Sequence, residues 1–114
     1  MEPPIEISHS TVEDWTIVEI RGEVDVYTVP TIKQYMIERL ADGCRRFVVD
    51  LRSVAFIDSM GLGVLVGALK RVQSVHGELK LVITDAPTKQ LFALTGLRHV
   101  FPLYDSVYQA RRTS

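Results

Sequence analysis

Asp58 and Ser59 stand side by side ahead of an apolar stretch, inside the run Phe56-Ile57-Asp58-Ser59-Met60-Gly61-Leu62-Gly63. A carboxylate and a hydroxyl in that position can accept from the backbone N–H groups that the first turn of a helix leaves without partners. The same helix end favours negative charge, so a phosphate on Ser59 is locally tolerated. Gly61 and Gly63 leave the turn almost bare of side chains. Glycine costs about 1 kcal/mol in a helix interior, so the pair implies close approach of something, either another segment or another protein. Met60 and Leu62 add apolar contact surface, methionine with its usual adaptability. Phe56 and Ile57 are expected in the core. By residue type alone, Asp58 and Ser59 fit a helix cap as well as a functional pair. Asp25 fits a turn, and Asp85 a second cap.

Enzyme chemistry finds little to build on. Ser59 has no histidine at a suggestive strand end, because His9, His76 and His99 are scattered. Those three and the lone Cys44 show no metal-ligand spacing, and a lone cysteine excludes an intrachain disulfide. The glycines at 61, 63 and 67 resemble a dinucleotide loop only loosely, since about nine residues separate them from the preceding strand, whereas the fingerprint follows its strand at once. No phosphate loop ending in Gly-Lys-Ser or Gly-Lys-Thr occurs. Asp25, Asp58 and Asp85 invite comparison with a magnesium-binding phosphoacceptor, but the acidic pair that such a site needs after its first strand is missing. No metal and no cofactor are expected.

Elements must bring these residues together. Ile5 to Ser8 and Trp15 to Arg21 read as strands of an antiparallel hairpin joined by a polar stretch, His9 to Asp14. Trp15 reads as a packing anchor. Val29, Ile32, Met36 and Leu40 make one helical stripe, with Thr28 as cap, Pro30 in the first turn and Gly43 past the end. Phe47 to Leu51 is a short apolar run that fits a strand covered on both faces. A helix follows from about Ser59 to His76, with Leu62, Leu65, Val66, Leu69 and Val72 inward and Gly77 as its stop. Leu79 to Thr84 reads as another buried strand. A third helix begins near Pro87 with Asp85 as cap and stops at Gly96. Val100-Phe101 reads as a short last strand, and Asp105 to Arg112 as a terminal helix capped by Asp105.

The order is α/β, and right-handed crossovers make the strands after the hairpin parallel. In such sheets ligands and partners meet the carboxyl ends of the strands. Three loops leave those ends on one edge: 22–28, 52–59 and 84–87. That edge carries Glu23, Asp25, Asp58 and Asp85 around Ser59.

Composition bounds the rest. The 114 residues suit one domain spanning 1–114. Thirteen basic and 14 acidic residues leave a net charge of -1, without the basic excess of a nucleic-acid binder. No apolar run approaches the roughly 18–20 residues of a membrane span. Met1-Glu2-Pro3-Pro4 shows no signal-peptide pattern, so a cytoplasmic setting is expected.

On these residues the chain resembles STAS-domain anti-sigma factor antagonists of bacteria. The run from Phe56 to Leu65 is similar to the family signature. Gly22-Glu23-Val24-Asp25 matches the turn after its second strand, Leu91-Phe92 with Thr95-Gly96-Leu97 its third-helix region, and Val100-Phe101-Pro102-Leu103 its final stretch. The patterns at 25–28 and 63–67 look most like the actinobacterial branch. The resemblance implies a mixed, mostly parallel sheet of four or five strands with about four helices. It implies a non-enzymatic switch that binds an anti-sigma factor, often a serine kinase, and so releases a sigma factor. The kinase ends binding by phosphorylating Ser59, and a phosphatase restores it. Glu23, Asp25, Tyr27, Asp58, Ser59, Met60, Gly61, Leu62 and Gly63 would form the partner surface of a monomer or weak homodimer. Many relatives carry a hydroxyl residue after the phosphoserine, where this chain has Met60. The other classes are a STAS scaffold subunit that is not phosphorylated, and a small nucleotide-binding or phosphotransfer domain.

Overall fold

The computed structural model describes residues 4–113. Five strands form one sheet in the order β1-β2-β3-β4-β5. They are β1 (Ile5–Val12), β2 (Trp15–Val24), β3 (Arg46–Ile57), β4 (Glu78–Val82) and β5 (Leu103–Tyr104). The first pair is antiparallel and every other pair is parallel. Four helices complete the expected α/β order: α1 (Val29–Ala41), α2 (Ser59–Ser74), α3 (Ala86–Leu94) and α4 (Val107–Arg112).

The period-2 alternation of the strands divides the core. Val18 and Ile20 of β2, Phe47, Val49 and Leu51 of β3, and Leu79 and Leu81 of β4 pack against Ile32 and Met36 of α1, Leu65 and Leu69 of α2, and Phe92 of α3. The opposite parity, Trp15, Ile17, Val48 and Val82, packs under Ala110 of α4. Trp15 is thus the anchor of the second, smaller cluster. Arg46 stacks 4.0 Å from its ring centroid, and buried Lys80 lies 4.9 Å from it. The Lys80 ammonium donates to the Ala110 carbonyl at 2.9 Å and also to that of Thr113, which ties down the end of α4.

Several boundaries differ from the sequence expectation. The hairpin strands extend to Val12 and from Trp15, so Glu13 and Asp14 alone make the turn, with Glu13 at φ 58°. His9 to Thr11 are polar because β1 is an edge strand, yet their backbone still pairs with β2. β3 runs six residues past Leu51. β4 pairs with it only as far as Asp50, so the upper half is flanked by β2 alone and needs no apolar run. The last strand is Leu103–Tyr104, and 97–99 form a single 3-10 turn in its approach. Ser106, not Asp105, caps α4, accepting from the Gln109 N–H at 3.0 Å. Asp105 instead pairs with Lys89 at 2.9 Å. Helix α2 ends at Ser74, with His76 in the left-handed region at φ 62°.

Candidate functional site

Parallel β2 and β3 deliver their carboxyl ends to the same edge, where Val24 and Ile57 are in register. The Asp58 N–H donates to the Val24 carbonyl at 3.2 Å, which couples the two loops. Asp58 is extended, and its carboxylate accepts from the Gly61 N–H at 3.0 Å. It is therefore the N-cap of α2. Ser59 is the first helical residue and is exposed, and its hydroxyl makes no hydrogen bond among the described residues.

The two glycines of this turn answer to different neighbours. A Cβ on Gly61 would lie 2.6 Å from both the carbonyl oxygen and Cγ1 of Val24. Gly61 is thus required by the chain's own packing. A Cβ on Gly63 would meet nothing within 4 Å. Leu62 turns inward and is only 6% exposed, which corrects its assignment to a contact surface. Met60, at 51%, does face solvent.

The loop after β2 is held by its own polar groups. The Asp25 carboxylate accepts from the N–H groups of Tyr27 at 2.9 Å and Thr28 at 3.1 Å. The Thr28 hydroxyl accepts from the Asp25 N–H and donates to the Glu23 carbonyl. Thr28 therefore pins the loop rather than capping α1, for which it makes no side-chain bond. Asp25 is spent on the turn, and the turn holds Tyr27 out at 85% exposure with Val26 beside it. Glu23 is exposed at the top of β2, across from Phe56 in register.

Phe56 is the main correction. It is 52% exposed, not core, while Ile57 is partly buried against the main cluster. Adjacent strand residues point to opposite faces, so Phe56 and Ile57 cannot both go inward. That alternation was the available signal. Val26 and Tyr27 in the loop after β2, Phe56 near the end of β3 and Met60 in the first turn of α2 are four large apolar side chains left exposed. Sequence reasoning assigned neither Val26 nor Phe56 to the contact surface.

Asp85 lies on the same edge, one strand further along. Its carboxylate caps α3, accepting from the Thr88 N–H at 2.9 Å and its hydroxyl at 2.6 Å. Burial pushes this carboxyl up, but the two Thr88 bonds outweigh that and hold it below the usual range. Just below the edge, Asp50 is buried on β3. Burial raises its pKa, yet the Arg52 guanidinium, forked onto it at 2.8 and 2.9 Å, and the Arg52 N–H bring it below the usual carboxylate range.

Among the described residues, no histidine is placed to serve Ser59. His76 is at the far end of α2, His99 is in the 3-10 turn, and His9 on β1 bonds the Tyr35 hydroxyl. No group of three or more His, Cys, Asp or Glu among the described residues is placed to hold a metal ion. No helix among them is long and apolar enough to cross a membrane. The arrangement presents the Ser59 hydroxyl on an open edge, with exposed apolar side chains and carboxylates on the neighbouring segments.

Comparison with known proteins agrees with this fold. Residues 4–110 match the STAS domain family. The chain is 35% identical over 94 residues to the anti-sigma-B factor antagonist of Staphylococcus aureus, covering 82% of this chain and 87% of that protein. It is 32% identical over 95 residues to the anti-sigma F factor antagonist of Paenibacillus polymyxa, with 82% and 81% covered. Its fold is similar to the crystal structure of an anti-sigma factor antagonist from Mycobacterium paratuberculosis, at a TM-score of 0.85 and 29% identity over 94% of this chain and 91% of that one. The family match over nearly the whole chain, the mixed five-stranded sheet and the capped Asp58-Ser59 turn lead to one conclusion: the chain belongs to the STAS-domain family of anti-sigma factor antagonists.

Proposed function

We propose that this chain binds an anti-sigma factor through the edge around Ser59, so that the sigma factor is released, and that phosphorylation of Ser59 ends the binding. It acts in the cytoplasm as a single domain, without catalysis of its own and without a cofactor. The kinase is the anti-sigma factor itself, and a phosphatase resets the switch. The observation that supports this reading is the exposed Ser59 hydroxyl, free of hydrogen bonds among the described residues, at the first turn of α2, on the sheet edge that also carries exposed Val26, Tyr27, Phe56 and Met60.

The physics of a switch is local. The helix end accepts an anion without refolding. In a docked interface, the same phosphate adds about -1.5 to -2 charges among Glu23, Asp25 and Asp58 and must be desolvated beside Val26, Tyr27, Phe56 and Met60. A penalty of about 3–4 kcal/mol lowers affinity by a few hundredfold.

The test offers the anti-sigma factors of the source bacterium, each purified, to the chain with ATP. Binding is measured by calorimetry and modification by intact mass. One partner is expected to bind tightly and to add a single phosphate, lost in Ser59→Ala. That variant keeps its affinity, whereas Ser59→Asp binds markedly less. Binding without phosphorylation by any partner assigns the chain to the scaffold class. Turnover of free nucleotide by the isolated chain assigns it to the enzyme class.

A further inference from the structure

Beside Ser59, a groove of about 270 Å³ runs down between α1 and α2. Val29, Met60 and Val64 give it an apolar lining, Gly63 and Gly67 form one wall, and Lys33 and Arg71 stand at its sides. The chain's own packing explains only part of this glycine wall. A Cβ on Gly63 would meet nothing within 4 Å, and one on Gly67 only the Arg71 guanidinium at 3.3 Å. Glycines four apart share one helix face, and each costs about 1 kcal/mol against alanine. Gly61, by contrast, is filled by Val24. Bare backbone kept beside an open groove therefore accommodates something from outside.

Charge says what it is. The loops above the groove carry Glu23, Asp25 and Asp58, whereas the groove carries two cations. Among the described residues, neither Lys33 nor Arg71 has an ion-pair partner. We infer that the groove receives an acidic segment of the anti-sigma factor, its backbone laid against Gly63 and its carboxylates on Lys33 and Arg71. The inference rests on the antagonist reading and extends the Ser59 surface down between α1 and α2 into a region of opposite sign.

The experiment uses, as probe, the anti-sigma factor that binds the wild-type chain. Lys33→Glu and Gly63→Leu are expected to weaken it at least about tenfold each, and raised salt weakens wild type more steeply than Lys33→Glu. Both side chains project into open space, so melting temperatures stay at or above wild type. A Gly63→Leu protein that melts lower is set aside for Gly63→Ala, which fills less of the groove and is expected to lose affinity in the same direction. If the groove variants bind within twofold of wild type while Phe56→Ala binds weakly, the groove proposal is overturned and the antagonist reading stands. If Gly63→Leu changes self-association in sedimentation and leaves partner affinity alone, the groove belongs to a second copy and the proposal is wrong. If no anti-sigma factor binds wild type, the antagonist reading fails first, and the groove assignment with it.

Discussion

The Asp58 carboxylate accepts from the Gly61 N–H at 3.0 Å, across the residue whose hydroxyl is left free. One side chain therefore closes the turn that holds Ser59 outward. The carboxylate does structural work, and the serine beside it stays available.

Removing that cap tests the division. Asp58→Ala should cost about 1 kcal/mol of stability, and Asp58→Asn should restore most of it, because the amide oxygen can accept the same bond. Denaturant titration of the three proteins measures this. Equal stability of the alanine and asparagine variants would remove the cap from the account.

Alanine at the two neighbouring glycines should act in opposite directions. At Gly61 the methyl meets Val24 at 2.6 Å and Ile57 at 2.9 Å, so Gly61→Ala should destabilise by about 1–3 kcal/mol of overpacking. At Gly63 the methyl meets nothing, so Gly63→Ala should gain up to about 1 kcal/mol from helix propensity. Thermal melts of the pair decide it. A gain at Gly61 would contradict the packing.

The Asp50–Arg52 pair predicts an acid response. Burial raises the Asp50 carboxyl, but the Arg52 bonds lower it further, so the folded pKa lies below the unfolded one. The stabilisation is then complete above the unfolded value of about 3.9 and disappears as pH falls through it and through the folded pKa below. Arg52→Ala should be less stable than wild type at pH 7 by about 1–3 kcal/mol, the scale of hydrogen bonds to a charged group. The two curves should converge once the pH has fallen below the folded pKa of Asp50. A constant gap across the whole pH range would mean that Arg52 acts through packing alone.

Phe56 separates binding from folding. It is exposed, so Phe56→Ala should change stability by no more than about 0.5 kcal/mol. Buried in an interface, the same ring should be worth at least about tenfold in affinity for the anti-sigma factor. Calorimetry and melting on one preparation give both numbers. A large loss of stability would return Phe56 to the core.

Much of the architecture was legible in the sequence because it rests on short-range rules. The stripe at Val29, Ile32, Met36 and Leu40, the capping carboxylates Asp58 and Asp85, and the left-handed Gly43 and Gly96 are local signals, and the structure keeps them. The upper half of β3 was not legible. Its residues lack an apolar run, because only β2 flanks them there. Asp105 and Ser106 are both good caps by type, and the choice between them fell to the Lys89 partner of Asp105.

Element order, the edge that carries the Ser59 loop and the family were readable from residue types alone, because periodicity, caps and a ten-residue signature need no knowledge of distant neighbours. Which residues of that edge face out was settled by packing between distant segments. Leu62 and Gly61 went inward, Phe56 came out, Asp25 was spent on its own turn, and Gly63 was left open beside Lys33 and Arg71. The reason is that exposure depends on what packs across from a residue. Val24, whose carbonyl meets both Asp58 and Gly61, is more than 30 residues away along the chain and is brought there by the parallel pairing of β2 and β3.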